Sequence, residues 1–294
     1  MYEDIKRNKI KTNIVISIFL IMISFVVYFV CYMLDLGELS LIIAFVFSVI
    51  STFATYYNCD KIVLMSVRAR EVTREEDLKL TNILDALMIT ADLPAKPRLY
   101  VVDSYQPNAF ATGRNPENAV ICVTTGLLEK LDYYELEGVI AHELAHIKNY
   151  DIRLSAVLSV MVGFVVMISD FCLRSNFRHR DNDDDSGKAN AIALVIGLVF
   201  MILSPIVSEI IQLAVSRRRE YLADATAISF TRNPDGLISA LLKLENDDSE
   251  LESSSKSNAH MYIVTPLKNK RGQSNIFSTH PSIADRVEAL KQLS

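Results

Sequence analysis

Apolar residues are gathered into long stretches. From Thr12 to Leu34 there is no charged side chain, and the same holds from Leu39 to Cys59. A helix of either length crosses a hydrocarbon layer of about 30 Å. Neither run has the polar face that a helix at the surface of a soluble core would carry. Two further apolar runs follow, Leu154 to Ser169 (extending weakly to Leu173 past Asp170) and Ala189 to Ser208. The pattern predicts four membrane helices in two hairpins, at about 12–34, 39–59, 154–173 and 189–215. The first run is too long for the apolar segment of a signal peptide, and no small-residue cleavage site follows it, so it reads as an uncleaved anchor.

The stretches between the hairpins have a different periodicity. Leu80, Ile83, Leu84, Leu87 and Met88 fall at helical spacing within Lys79 to Asp92. Two prolines in "LPAKPRLYVVD" break that helix and open a β-branched run, Arg98 to Asp103. "NAFATG", a turn at Asn115-Pro116 and "NAVICVTTG" then predict a meander of short strands, followed by a helix through Leu131. In "DYYELEGVIAHELAHIKNYD", Asp132 is an N-cap candidate, and Glu135 three residues later completes a capping box. The expected fold is mostly α: an α+β zincin-like (gluzincin-type) catalytic domain combined with four transmembrane helices. The expected division is 1–59 for the first membrane hairpin, 60–153 for a first catalytic part, 154–216 for the second hairpin and 217–294 for a second catalytic part.

Charge adds orientation. The net charge of −5 offers no basic surface for nucleic acid. Basic residues flank the spans on one side: Lys6, Arg7, Lys9 and Lys11 before the first, Lys61, Arg68, Arg70 and Arg74 after the second, and Arg217, Arg218 and Arg219 after the fourth. The turn from Asp35 to Glu38 has none. This asymmetry places both termini and the polar segments on the cytoplasmic side. "RSNFRHRDNDDDSGK" reads as a solvated link, since it lacks the spacing and glycine of a calcium loop. Cys31, Cys59, Cys122 and Cys172 are scattered, with no Cys-x-x-Cys pair to suggest a disulfide framework or thiolate zinc site.

The candidate chemistry lies in "VIAHELAHIKNYD". His142 and His146, four apart, project from one helix face, suiting two ligands of a tetrahedral Zn2+ ion, one per chain. Glu143 is the expected general base, taking a proton from the attacking water and passing it to the leaving amine. The motif helix runs into the third apolar run, and the fourth returns into "SRRREYLADATA". An antiparallel hairpin brings those two ends together, so Glu220 is assigned as the third ligand. Asp224, one turn on, is placed to accept the Nδ1–H of His142. Glu209 lies too deep in the fourth run.

"HELAHIKNYD", "SRRREYLADATA", "NAFATG" and "FSTHPSIADRVEAL" together resemble the HtpX family of membrane zinc metalloproteases, which is related to the CAAX prenyl endopeptidases. The resemblance implies His142, His146 and Glu220 as zinc ligands and Glu143 as the base. It implies cytoplasmic-facing cleavage of damaged or misfolded membrane proteins in a bacterial plasma membrane, with membrane-protein or peptide substrates and the bilayer as partners. It further implies a place beside the substrate carbonyl for His280 and Arg286, with Ser278 or Thr279 capping the helix after His280. A capped surface helix fits Arg286 equally. "NAFATG" resembles the strand flanking the cleft, whose edge a peptide could pair with. Asn108 is then a candidate substrate contact, although an Asn after Pro also fits a turn. The motif alone leaves open a CAAX-type prenyl protease or a metal-stabilised adaptor without activity.

Overall fold

A computed structural model of the chain describes residues 2–33, 37–73, 77–178, 197, 216–247, 261–264 and 281–293. The fourth apolar run falls outside them, apart from Gly197. The first helix, α1 (Tyr2–Met33), starts ten residues before the uncharged run, so the basic residues of the N-terminus lie on the helix itself. α2 (Leu39–Tyr57) follows, then α3 (Cys59–Ser66). Among the described residues two helices are long and apolar enough to cross a membrane, Ile5–Phe29 and Leu39–Tyr57. Leu41, Ile42, Phe45 and Phe53 of α2 are exposed, as lipid-facing side chains would be.

Strand β1 (Arg70–Glu71) leads to α4 (Leu78–Ala91), capped by the Asp77 carboxylate, which accepts from Leu80 N at 2.9 Å. Then come β2 (Arg98–Val102), β3 (Ala109–Thr112) and β4 (Val120–Thr124). The sheet order is β1-β2-β4-β3. It is a mixed sheet and not the expected meander, because β4 inserts between β2 and β3, parallel to one and antiparallel to the other. All five residues of β4 are buried, which fits a central strand covered on both faces.

Helix α5 (Thr125–Lys130) follows directly, capped by Thr124. α6 (Tyr133–Lys148) starts with the full capping box of Asp132 and Glu135. It runs through the centre of the fold, with Leu136, Val139, Ile140, Ala141, Leu144, Ala145 and Ile147 all buried. The sequence predicts that the motif helix continues into the third apolar run. Instead α6 ends, Tyr150 takes a left-handed φ of 60°, and α7 (Asp151–Arg178) starts as a separate helix. Around α6 pack α4, the sheet, α8 (Arg217–Thr231), α9 (Pro234–Glu245) and α10 (Ile283–Lys291). The α10 cap is Ser282, whose Oγ accepts from Asp285 N at 3.1 Å, rather than Ser278 or Thr279. Pro281 thus precedes the cap, and the helix begins three or four residues later than a cap at Thr279 or Ser278 would place it.

A second apolar cluster joins α1 to α7 through Val15, Phe19, Met22 and Ile23 against Leu154, Val157, Leu158 and Met161. The apolar helices are therefore packed onto the foot of the motif helix.

Candidate metal centre and active site

His142 and His146 lie one turn apart on α6, and α8 crosses that face carrying Glu220. The two Nε2 atoms are 3.1 Å apart, with the rings edge to face. The Glu220 oxygens lie 3.6 Å from His142 Nε2 and 3.7 Å from His146 Nε2. One ligand atom from each of the three residues falls within 4.8 Å of the others.

Both outer ring nitrogens are engaged. His142 Nδ1 is 2.9 Å from Asp224 Oδ1, and His146 Nδ1 is 3.0 Å from Asp151 Oδ2. A carboxylate can only accept, so each Nδ1 carries the proton and each Nε2 presents its lone pair. Two lone pairs and a carboxylate aimed at one point repel each other without a cation between them. The donor set therefore fits a divalent metal held by two imidazoles and a carboxylate, with carboxylates behind the imidazoles.

Asp224 is itself held by a buried arginine. Arg286 Nε donates to Asp224 Oδ2 at 2.9 Å and Nη2 to Oδ1 at 2.6 Å. Its Nη1 donates to Ile263 O at 3.3 Å and lies 3.7 Å from Glu220 Oε2. Arg286 is 1% exposed, so it stands behind the ligands and does not line the cleft. Burial tends to raise the Asp224 carboxyl, but the Arg286 charge and the His142 hydrogen bond outweigh it and hold the group below the usual carboxylate range. Burial and the adjacent Arg286 charge lower His142 against the pull of Asp224. Burial also opposes charge on His146. There the Asp151 hydrogen bond and the charges of Glu220 and Asp151 prevail, raising it to about 9, so a cation taking the His146 Nε2 lone pair displaces a proton from it near neutrality.

Glu143 is buried beside the first histidine and receives a hydrogen bond from the Ala111 backbone. Burial, reinforced by the Glu220 charge, pushes its carboxyl up to about 7. A group poised there exchanges a proton readily at neutral pH. The cleft in front of it is lined by Ala111, Ile152, Ser155, Arg219, Met261 and Tyr262, among others. Ala111 belongs to β3, so the "NAFATG" strand borders the cleft. Next to it, Ile263 N donates to Ala109 O at 3.0 Å, so a segment of the chain itself lies along β3. Asn108 is 1% exposed and faces that segment: its Nδ2 donates to Val264 O at 2.8 Å, and its Oδ1 accepts from Val264 N at 3.4 Å. His280 lies outside the described residues.

Asp151 was not singled out by the sequence pattern, and the reason is geometric. Five positions along an unbroken helix rotate a side chain about 140° away, so it could not reach His146. The left-handed Tyr150 turns Asp151 back toward the ring. The available signal was the "KNYD" string, in which Asn-Tyr-Asp reads as a helix break with a new acidic N-terminus.

Comparison with known proteins agrees with this geometry. Residues 74–294 match the family model described as Peptidase family M48. The chain is 43% identical over 295 residues to a Protease HtpX homolog of Dictyoglomus thermophilum, covering 99% of this chain and 94% of that one. It is 40% identical over 300 residues to the homolog of Caldanaerobacter subterraneus, covering 100% of this chain and 98% of that one. For one homolog of Listeria monocytogenes the identity is 39% over 306 residues, with both chains fully covered. Among solved structures it is similar to the crystal structure of S. mikatae Ste24p, with a TM-score of 0.51 at 18% identity over 90% of this chain. It spans only 62% of that longer chain, and the likeness is one of fold. A His-Glu-x-x-His helix with a carboxylate ligand from a second helix, set against apolar helices and matched along the full length of these relatives, makes the chain a metallopeptidase of family M48 and an HtpX homolog.

Proposed function

We propose that the protein is a zinc endopeptidase that hydrolyses peptide bonds of misfolded or damaged membrane proteins at the cytoplasmic face of a bacterial plasma membrane. The observation that carries this reading is the position of the metal cluster at the foot of α7. There α1 enters its apolar stretch, and the two helices pack together through Phe19, Met22, Leu158 and Met161. A site so placed meets segments that leave the bilayer. Both termini are cytoplasmic in this reading, and the two apolar hairpins supply four spans.

His142, His146 and Glu220 hold one zinc ion, which when bound polarises the scissile carbonyl and acidifies water. Glu143 takes the proton from the attacking water and delivers it to the departing amine nitrogen. Its burial keeps it basic enough to accept that proton and acidic enough to release it. Asp224 holds the His142 ring in its tautomer, and Arg286 anchors Asp224. An extended peptide entering the cleft meets β3 at Ala111, since the Ala109 carbonyl is already taken by Ile263, and is held there through its backbone more than through particular side chains. Asn108 orders the strand end that borders this path. His280, just before α10, supports the developing oxyanion.

The test compares membrane proteomes of cells holding the active chain with those holding Glu143→Gln. Membrane-protein fragments confined to the active chain, with zinc retained in the variant, are the expected result. Fragments that persist in Glu143→Gln with full zinc would refute the assignment of the base. An unchanged membrane proteome with cleavage of a soluble reporter intact would refute the substrate class.

A further inference from the structure

The metal centre is fastened to the first membrane helix by one side chain. Asn8 is buried in α1, 4% exposed, in the middle of the basic N-terminal stretch. Its Nδ2 donates to Asn149 O at 3.1 Å and to Asp151 Oδ1 at 2.7 Å. Those two acceptors flank Tyr150, the left-handed residue that breaks α6 from α7. A single amide thus spans the break with both its protons. The other oxygen of Asp151 is the one facing His146 Nδ1. Two neighbours of Asn8 grip the same region: Lys9 Nζ sits 4.2 Å from the centre of the Tyr150 ring, and Asn13 Oδ1 accepts from Arg153 Nη2 at 3.3 Å.

We infer that Asn8 is a positioning residue for metal binding, acting through Asp151 on His146. A carboxylate behind a ligating imidazole fixes the ring's tautomer and direction, and losing it typically weakens metal binding about 10–100-fold. Asp151 can do this only while the α6–α7 break holds its present shape, because an uninterrupted helix would carry it away from His146. The Asn8 amide bonds both sides of that break and, at 2.7 Å against the 3.4 Å of Arg219 Nη1 on the same oxygen, is the closer of two donors that set the rotation of the Asp151 carboxylate. The seating of the N-terminal anchor against α7 is thereby coupled to metal-ligand geometry. This inference rests on the zinc-site reading above.

The test uses the full-length protein in detergent or nanodiscs. Zinc affinity is measured by competition with a chromophoric chelator, and the cobalt-substituted protein is examined by visible absorption. Asn8→Asp removes both donated bonds and sets a second carboxylate against Asp151. Asn8→Ala removes the bonds alone. Both are expected to weaken zinc about tenfold or more and to shift the cobalt bands. Asp151→Ala does the same, and adding Asn8→Ala to it changes affinity no further than about twofold, since the path runs through Asp151. Asn13→Ala, which loosens α1 from Arg153 without touching Asp151, leaves the cobalt spectrum unchanged.

Three outcomes overturn the inference: unchanged affinity and spectrum in Asn8→Ala, additive losses in the double variant, or an equal spectral shift in Asn13→Ala. The last would mean that α1 matters only as packing. Should Asn8→Asp not fold, Asn8→Ala and the double variant decide the matter. A wild-type chain that binds no metal refutes the site reading itself, which separates the two failures.

Discussion

Replacing Arg286 by methionine tests how much of the site rests on a residue that never reaches the cleft. Methionine preserves most of the volume and removes the charge. The guanidinium makes two charge-assisted hydrogen bonds to Asp224, at 2.9 and 2.6 Å, in a site where Arg286 is 1% and Asp224 2% exposed. Each such bond contributes about 1.5–3 kcal/mol. Removing one partner of a buried pair costs about 3–5 kcal/mol, because the other charge is left uncompensated. We expect Arg286→Met to lower stability by about 3–5 kcal/mol, or roughly 6–20 °C in Tm at the 2–4 °C per kcal/mol usual for chains of this order of size. The decisive measurement is a double-mutant cycle with Asp224→Asn, read by thermal or urea unfolding in one detergent. In the Asp224→Asn background the carboxylate held by two short hydrogen bonds is gone and Arg286 keeps only the looser 3.7 Å approach of Nη1 to Glu220, so the same arginine change is expected to cost less by about 2 kcal/mol or more. If Arg286→Met costs under about 1 kcal/mol, or the same in both backgrounds, the ion pair is not what holds Asp224 behind His142, and the account of His142's orientation fails with it.

Three further outcomes are expected. A Cβ on Gly138 would lie 2.8 Å from Leu237 N and 2.9 Å from its Cα, both backbone atoms; Gly138→Ala therefore forces α6 and α9 apart, at about 1–3 kcal/mol, and an unchanged urea midpoint would refute that close packing. Glu135 is raised by burial, but hydrogen bonds from Lys243, Ser239 and the Asp132 backbone outweigh this and leave its carboxyl below the usual value. Its stabilisation is therefore complete above the unfolded value of about 4.3 and is lost as pH falls through the folded one. Glu135→Gln should cost about 1–2 kcal/mol near neutrality, held down by the solvent exposure of Lys243, and the gap from wild type should close as acid protonates the folded carboxyl; a gap that widens on acidification would refute the sign. Glu220→Ala should weaken zinc by at least about 100-fold in a chelator competition while Asp224→Asn weakens it about 10–100-fold, the range for a residue behind a ligand; undiminished affinity in Glu220→Ala would remove it from the ligand set.

The contrast between what the chain's pattern revealed and what it hid has a physical basis. Helix α6 was legible because its cap, its apolar face and its two histidines all obey one period, and each is a local property. Glu220 was legible for a different reason: hairpin connectivity constrains where two chain ends meet, even though the hairpin's return run lies outside the described residues. The sheet order was not legible, since each strand looks alike in isolation and the insertion of β4 between β2 and β3 is decided by which faces can be covered. Arg286 illustrates the same limit in a side chain. An arginine in "ADRVEAL" has the spacing of a solvated helix face, and only the approach of α10 to α8 shows that it is buried on Asp224.

Asp151 and Asn8 lie furthest from what a local pattern can show, because their roles depend on a departure from regularity. Helical periodicity relates residues that share a helix, and Asp151 serves His146 only because Tyr150 interrupts it. Asn8 is 143 residues away in sequence from Asp151 and reaches it through the packing of two apolar helices. That packing is legible in the sequence only as hydrophobicity, which says that α1 seeks an apolar surround but not which rotation it adopts. The rotation is fixed by its few inward polar groups. Asn8 and Thr12 lie on the face of α1 that continues into Val15 and Phe19, and Thr12 Oγ1 donates to Asn8 O at 2.9 Å. A buried amide has to find partners, and in an otherwise apolar interface it can find them in only one register. The polar requirement that helps orient the anchor helix is the same contact that reaches Asp151 behind a metal ligand, so membrane packing and metal geometry meet at Asn8.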